Sequence, residues 1–296
     1  MTERVARFAP SPSGYLHRGH AYSALTAAGA GDRFIVRIED IDTARCRREF
    51  EAALFEDLAW LGLRWETPVR RQSDHTGDYQ AALERLRGAG LVYRCFKTRA
   101  ELMDESARAP HGPVAPYIGS ALPAAEEARR LAAGEPFAWR LSIGAAKARL
   151  GAAFDQLDFV EEGGGPNGEH GRLSAAPEAA GDVILARKGL GVAYHLAVVV
   201  DDALQGVNLV VRGADLFEAV GVQRLLQTLL DLPAPAYHHH PIRLGPDGKR
   251  YAKRDRAETL RALRAGGMTP AALRSELGFP NRASSPAEAK RNAGDP

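Results

Sequence analysis

The sequence predicts an α/β protein built on a parallel sheet, and three observations carry that prediction. Short apolar strand patterns alternate with amphipathic helical ones between Val5 and Leu86. A turn cluster of Pro, Ser and Gly joins the first strand pattern to the first helical one. The longest apolar run, Leu196 to Val200, is rich in β-branched residues and reads as a buried parallel strand. In order, Val5 to Ala9 predicts a strand, Pro10-Ser11-Pro12-Ser13-Gly14 a loop, and the Ala-rich stretch from His20 to about Ala30 a helix. Phe34 to Ile38 predicts the next strand. Apolar residues at Phe50, Leu54, Leu58 and Leu61, then at Tyr79, Leu83 and Leu86, predict two helices.

After Leu91-Val92-Tyr93 the composition changes. Pro110, Pro113, Pro116 and Pro123 precede the Gly-rich run from Glu161 to Gly171, and periodicity weakens, so 92–180 reads as an insertion that splits the sheet. Regular patterning resumes with Val183 to Ala186, Tyr194 to Val200 and Leu209 to Val211, followed by a helix from about Asp215 to Leu230. Past Pro241 the chain is basic and helical. The tail 281–296 has no apolar period and is expected to be disordered.

Composition narrows the function classes. The 296 residues, 45% of them hydrophobic, are enough to close a core. Lys and Arg total 39 against 37 Asp and Glu, so only local patches can announce a nucleic acid. Two cysteines, Cys46 and Cys95, are too few for a disulfide framework and point to a reducing compartment, hence the cytoplasm. No apolar run approaches the ~20 residues of a membrane span, and Met1 to Arg7 does not resemble a signal peptide.

Two segments could carry chemistry. His17-Arg18-Gly19-His20 stands at the start of the first helix, where free N–H groups and the dipole welcome phosphate and Gly19 allows close approach. Lys249-Arg250-Tyr251-Ala252-Lys253-Arg254 follows the turn Gly245-Pro246-Asp247-Gly248, and lysines there can follow charge on a transferring phosphate. Each has a bland alternative: surface histidines in a loop, and a solvated basic loop. His238-His239-His240 alternates faces along an extended segment, so the three cannot ligate one ion. Asp201-Asp202 reads as a helix or turn cap with a pocket-wall residue rather than a metal pair.

Together, the histidine motif and the lysine loop resemble the HIGH and KMSKS elements of class I aminoacyl-tRNA synthetases. Arg7-Phe8-Ala9-Pro10-Ser11-Pro12-Ser13-Gly14, Arg37-Ile38-Glu39-Asp40, the block Tyr194 to Asp202, and Val211-Arg212-Gly213-Ala214-Asp215 are similar in order and spacing to the glutamyl-tRNA synthetase catalytic core. The similarity runs from about residue 5 to residue 278, and the 18 residues beyond cannot form an anticodon-binding domain. That shortness resembles the glutamyl-queuosine tRNA(Asp) synthetase family.

The resemblance implies a Rossmann-like catalytic core, an inserted acceptor-type subdomain and a C-terminal helical stem-contact region. On this sequence that gives core halves at 1–91 and 181–242, the insertion at 92–180, the lysine loop and stem-contact helices at 243–280, and the tail. It implies activation of L-glutamate with ATP, assisted by Mg2+, and transfer to the queuosine base of tRNA(Asp), by a soluble, cytoplasmic monomer. The glutamate pocket would comprise Arg7, Phe8, Ala9, Pro10, Ser11, Glu39, Tyr194 and Arg212, with Glu39 on the ammonium and Arg7, Arg212 and Tyr194 on the carboxylates. His17, Gly19, His20 and Lys253 would serve ATP. The alternatives are an ion pair of Glu39 with Arg37 or Arg33, and of Arg212 with Asp215.

The sequence departs from the family pattern twice. In the loop, Arg250 and Ala252 replace the first lysine and the serine, while Lys253 keeps the second lysine. In the insertion, the zinc pattern retains only Cys95 and Tyr117, because Lys97 and Ala121 stand where the family has cysteines; the reading is no zinc, with the subdomain held by packing alone. Arg243, Lys249, Arg250, Lys253, Arg254, Arg256, Arg261 and Arg264 form a basic patch suited to a phosphate backbone. Two other functions fit: a minimal synthetase charging a tRNA 3′ end, and a non-catalytic glutamate- or nucleotide-binding paralogue.

Overall fold

The computed structural model of the chain describes residues 3–98, 101, 116–188, 191–243 and 258–279. The lysine loop, Arg250 to Arg254, and the tail 281–296 lie outside the described residues. The first half alternates as its patterning predicts: β1 (Val5–Phe8), α1 (Arg18–Ala30), β2 (Arg33–Ile38), α2 (Arg48–Trp60), β3 (Arg70–Arg71) and α3 (Thr76–Gly88). Then come β4 (Val92–Cys95), α4 (Ala124–Ala132), β5 (Ala138–Leu141), α5 (Ile143–Leu150), α6 (Ala152–Asp155), β6 (Asp158–Glu161), β7 (Gly171–Ser174), β8 (Ile184–Arg187) and β9 (Gly191–Val192). The remainder is α7 (Tyr194–Leu204), β10 (Leu209–Gly213), α8 (Ala219–Leu229), β11 (Ala236–His240), α9 (Leu260–Ala265) and α10 (Pro270–Glu276).

The large sheet has the order β3-β2-β1-β10-β11-β6-β7. Every neighbouring pair in it is parallel except β6 with β7. Alternating residues of its strands feed opposite layers. Val5, Ile35 and Val210 face a core with α3, α7 and α8, whereas Ala6, Phe34, Val36 and Leu209 face one with α1 and α2. Ala21, Ala24 and Ala27 let α1 lie close to the sheet, and Gly31 at its end admits nothing larger. A Cβ there would sit 2.7 Å from the Arg33 carbonyl oxygen and 2.9 Å from Ala6 Cβ.

The predicted strand Leu196 to Val200 is instead the middle of α7. A five-residue apolar run carries no period that separates a buried strand from a helix buried on all sides, and Leu196 to Asp202 are all buried. Asp201 and Asp202 correspondingly cap nothing; they sit in α7 and hold arginines. Strands β4, β5, β8 and β9 form a second, antiparallel sheet. Residues 92–180 thus supply strands to both sheets, since β6 and β7 extend the large one. Leu260, Leu263 and Leu273 seat α9 and α10 on the α1–α2 layer. Among the described residues no helix is long and apolar enough to cross a membrane.

Candidate active site

Outward from β1 the chain builds the sheet first through β2 and later through β10, so the strand order reverses between β1 and β10. In open parallel α/β sheets the crevice outside the carboxyl ends of the strands at such a reversal is where ligands bind. Arg7 and Phe8 end β1, Ala9, Pro10 and Ser11 follow it, Glu39 follows β2, Arg212 lies near the end of β10, and Tyr194 opens α7. The eight residues of the expected glutamate pocket therefore gather at one edge of the sheet.

Buried charge organises that edge. Asp202 Oδ1 accepts from Arg7 Nε at 3.2 Å and from Arg37 Nη1 at 2.7 Å. Arg37 Nη2 donates to Glu39 Oε1 at 3.1 Å, and Arg7 Nη1 to the Val211 carbonyl at 3.0 Å. Asp201 accepts from Arg70 Nε, Gln72 Nε2 and Tyr79 Oη at 2.6–2.8 Å. Burial opposes ionisation of Asp202, but Arg7 and Arg37 overcome it and hold the carboxyl below its ordinary range. Burial wins at Glu39, whose carboxyl is raised although Arg37 and Arg7 pull the other way. Glu39 thus has its alternative partner, Arg37, and its raised pKa marks a carboxylate that a ligand ammonium would stabilise. The Glu39 backbone N–H donates to the Pro10 carbonyl at 3.1 Å, tying the two pocket segments together.

Arg212 is held by side chains from three other elements, β11, α8 and α7. Its Nε donates to His239 Nε2 at 3.0 Å and its Nη1 to Gln223 Oε1 at 2.8 Å, with Tyr194 Oη at 3.5 Å. Its Nη2 and Gln223 Nε2 are buried without a hydrogen-bond partner. His195 Nδ1 is likewise buried without one; burial and then Arg212 depress that imidazole to a pKa of about 4, so it is neutral at pH 7. Buried donors left unpaired cost free energy unless something else meets them. A carboxylate is the group that suits a spare guanidinium edge.

The histidine motif caps α1. His17 Nδ1 accepts from the Gly19 N–H at 3.1 Å, and His20 Nδ1 accepts from the His17 N–H at 3.2 Å. The chain on either side of the lysine loop is tied to α1 or to the residues leading into it. His240 Nε2 pairs with Ser23 Oγ at 2.8 Å on the entry side, and the Leu260 N–H donates to the Leu16 carbonyl at 2.8 Å on the exit side. The loop's Arg250, Tyr251, Ala252, Lys253 and Arg254 lie outside the described residues.

Cys95, at the end of β4 in the smaller sheet, and Tyr117, in the irregular segment before α4, stand apart. Cys95 Sγ is 3.8 Å from Tyr117 Oη, and Lys97 Nζ lies 5.6 Å from the Tyr117 ring centre. A thiol, a phenol and an ammonium are not a donor set for zinc. Packing alone does not hold this subdomain, contrary to expectation. Asp182, 1% exposed, accepts from Tyr93 Oη, the Gly119 N–H and the Ile143 N–H at 2.8–2.9 Å. Among the described residues no group of three or more His, Cys, Asp or Glu could hold a metal ion.

Sequence reasoning missed Arg37 as the hub of the ion pairs, and Gln223, His239 and Glu161 as the setting of Arg212. An arginine following the apolar run Phe34-Ile35-Val36 inside a strand is the one local signal among them.

Comparison with known proteins places these findings. Residues 4–280 match the family described as tRNA synthetases class I (E and Q), catalytic domain. A glutamyl-Q tRNA(Asp) synthetase of Rhodobacter capsulatus is 44% identical over 286 residues, covering 93% of this chain and 100% of that protein. One of Nocardia farcinica is 44% identical over 94% of this chain and 86% of its own length. The solved glutamate-tRNA synthetase of Elizabethkingia anophelis superposes with a TM-score of 0.70 at 26% identity, over 86% of this chain and 53% of that one. The chain thus spans about half the length of that enzyme. On this match and on the Rossmann-like core, the chain belongs to the class I tRNA synthetases of the E and Q type, ligases of the aminoacyl-tRNA synthetase kind.

Proposed function

We propose that the chain activates L-glutamate with ATP as glutamyl-adenylate and transfers the glutamyl group to the queuosine base of tRNA(Asp). The observation that carries the amino-acid half is the presence at one edge of the sheet of Arg212, buried with a spare Nη2 edge, and Glu39, whose carboxyl pKa burial raises. One fork-like cation and one carboxylate are what a ligand with an ammonium and two carboxylates requires. Glutamine would leave the buried guanidinium facing a neutral amide and is rejected on that ground. The nucleic-acid half rests on relatives of matching length named glutamyl-Q tRNA(Asp) synthetases.

In the first step the glutamate α-carboxylate oxygen attacks the α-phosphorus of ATP, and pyrophosphate leaves. Arg7 and Tyr194 orient the ligand with Glu39 and Arg212, and the α1 N-terminus behind His17 and His20 receives the phosphates. Lys253 stabilises the departing pyrophosphate, and Mg2+ accompanying the nucleotide would supply further neutralisation of phosphate charge. In the second step a hydroxyl of the queuosine cyclopentene ring attacks the glutamyl carbonyl, releasing AMP.

Labelled glutamate and ATP, supplied with tRNA from cells that make queuosine and from cells that do not, test the reading. Label confined to the queuosine-containing pool and abolished by periodate is expected. Label on both pools would replace it with 3′-end charging, and no label on either with a binding paralogue. In a separate ATP–pyrophosphate exchange assay, His20→Ala or Lys253→Ala is expected to lose most of the glutamate-dependent exchange.

A further inference from the structure

Arg212 and His239 are register partners on the adjacent parallel strands β10 and β11. An arginine has only donors, so His239 Nε2, 3.0 Å from Arg212 Nε, must present its lone pair. The single proton of the neutral ring is then on Nδ1, which donates to Glu161 Oε2 at 2.6 Å. Glu161 is fixed in turn, because its Oε1 accepts from the His239 N–H at 2.8 Å and the Gly163 N–H at 2.9 Å. Gly163 permits that approach, since a Cβ there would lie 2.4 Å from the His239 carbonyl oxygen. The ring is stacked on Tyr237 with a 4° interplanar angle and met edge-on by Phe217. Glu161 and His239 are both 0% exposed.

We propose that Glu161 and His239 form a positioning relay that fixes the rotation of the Arg212 guanidinium, so that its free Nη2 edge meets a carboxylate and selects glutamate over glutamine. The claim rests on the reading that Arg212 grips a glutamate carboxylate. With Nε committed to His239 and Nη1 to Gln223, the guanidinium has no second orientation in which to accommodate an amide. The arrangement follows the logic by which a buried carboxylate sets the tautomer of a metal-bound histidine, with a guanidinium in the metal's place. Burial keeps His239 neutral, and the bonds from His239 hold Glu161 ionised against the same burial.

Glu161→Gln tests the relay without changing shape. A Gln amide, its oxygen held by the two backbone N–H groups, turns its NH2 toward Nδ1. The ring proton moves to Nε2, where it opposes Arg212 Nε–H. The expected result in ATP–pyrophosphate exchange is a KM for glutamate raised about tenfold or more. The KM for ATP and kcat should stay within about twofold, with discrimination against glutamine reduced. In 15N-labelled intact protein, His239 should be the Nδ1–H tautomer in the wild type and Nε2–H in the variant. An unchanged glutamate KM, or an Nε2–H ring in the wild type, overturns the proposal. The wild-type spectrum decides the tautomer even if the variant fails to fold. Arg212→Ala separates the two claims. If it raises the glutamate KM while Glu161→Gln does not, only the relay falls; if it leaves that KM unchanged, the reading of the Arg212 site falls and selection through the relay with it.

Discussion

The crevice at the β1–β10 reversal and the small sheet of β4, β5, β8 and β9 both gather donors around a buried aspartate, yet they finish the job differently. In the small sheet Asp182 takes three neutral donors. The two guanidinium Nε atoms without an acceptor there belong to Arg94 and Arg140, whose groups lie 4.4 and 4.5 Å from the rings of Trp139 and Tyr117. Their spare polarity is spent on aromatic faces. In the crevice Asp202 takes two cations, and the spare donors of Arg212 and Gln223 are left without partners. A buried polar hub is therefore not itself the mark of a site; donors left over once the hub is satisfied are.

Removing each hub sharpens the contrast. Asp202→Ala takes from the buried Arg7 its carboxylate partner and from Arg37 its shortest ion pair, leaving Arg37 to Glu39 and Asp201, and a stability loss of about 3–5 kcal/mol is expected by urea denaturation. Exchange activity should fall with it, because Arg7 and, through Arg37, Glu39 lose their bearings. Asp182→Ala orphans one phenol and two backbone N–H groups, and about 3 kcal/mol is expected, at the upper end for unmet neutral donors. In the folded fraction its glutamate KM should equal that of the wild type. A raised KM there would show that the small sheet and the crevice are coupled, and the comparison would fail.

The parts of this architecture legible in the sequence are those that depend on neighbours along the chain. The period of Phe50, Leu54 and Leu58 gives α2, and the turn cluster after Ala9 marks the end of β1. The proposed pocket residues that sit in contiguous blocks, Arg7 to Ser11 among them, come from family resemblance. Glu161, Gln223 and His239 do not, because they meet Arg212, itself named by the resemblance, only through the register of β6, β10 and β11 and the packing of α8. The triple histidine illustrates the limit: alternation along the strand excludes one shared ion, but that His239 serves an arginine is fixed by which strand lies alongside. Leu196 to Val200 fails for the opposite reason, since a helix buried all round has no polar face to reveal its period.

Asp57 breaks the pattern of both regions and supplies the smallest predicted effect. It is 0% exposed in α2, and neither carboxylate oxygen has a hydrogen-bond partner. Arg264 of α9 approaches it, with Nη1 4.0 Å from Oδ1. Burial raises its pKa to about 6, and Arg264 offsets that only in part. An acid whose folded pKa lies above its unfolded one binds more protons when folded, so its favourable contribution is complete below pH ~4 and is lost as pH rises through ~6. Asp57→Asn, which keeps the shape and cannot ionise, is therefore expected to stabilise the protein by about 2 kcal/mol at pH 8 and to change little at pH 4. Thermal melts of both proteins across that range measure the difference. An equal effect at both pH values would mean that Asp57 is met by donors after all, as Asp182 is, and that α2 and α9 are joined by a third hub.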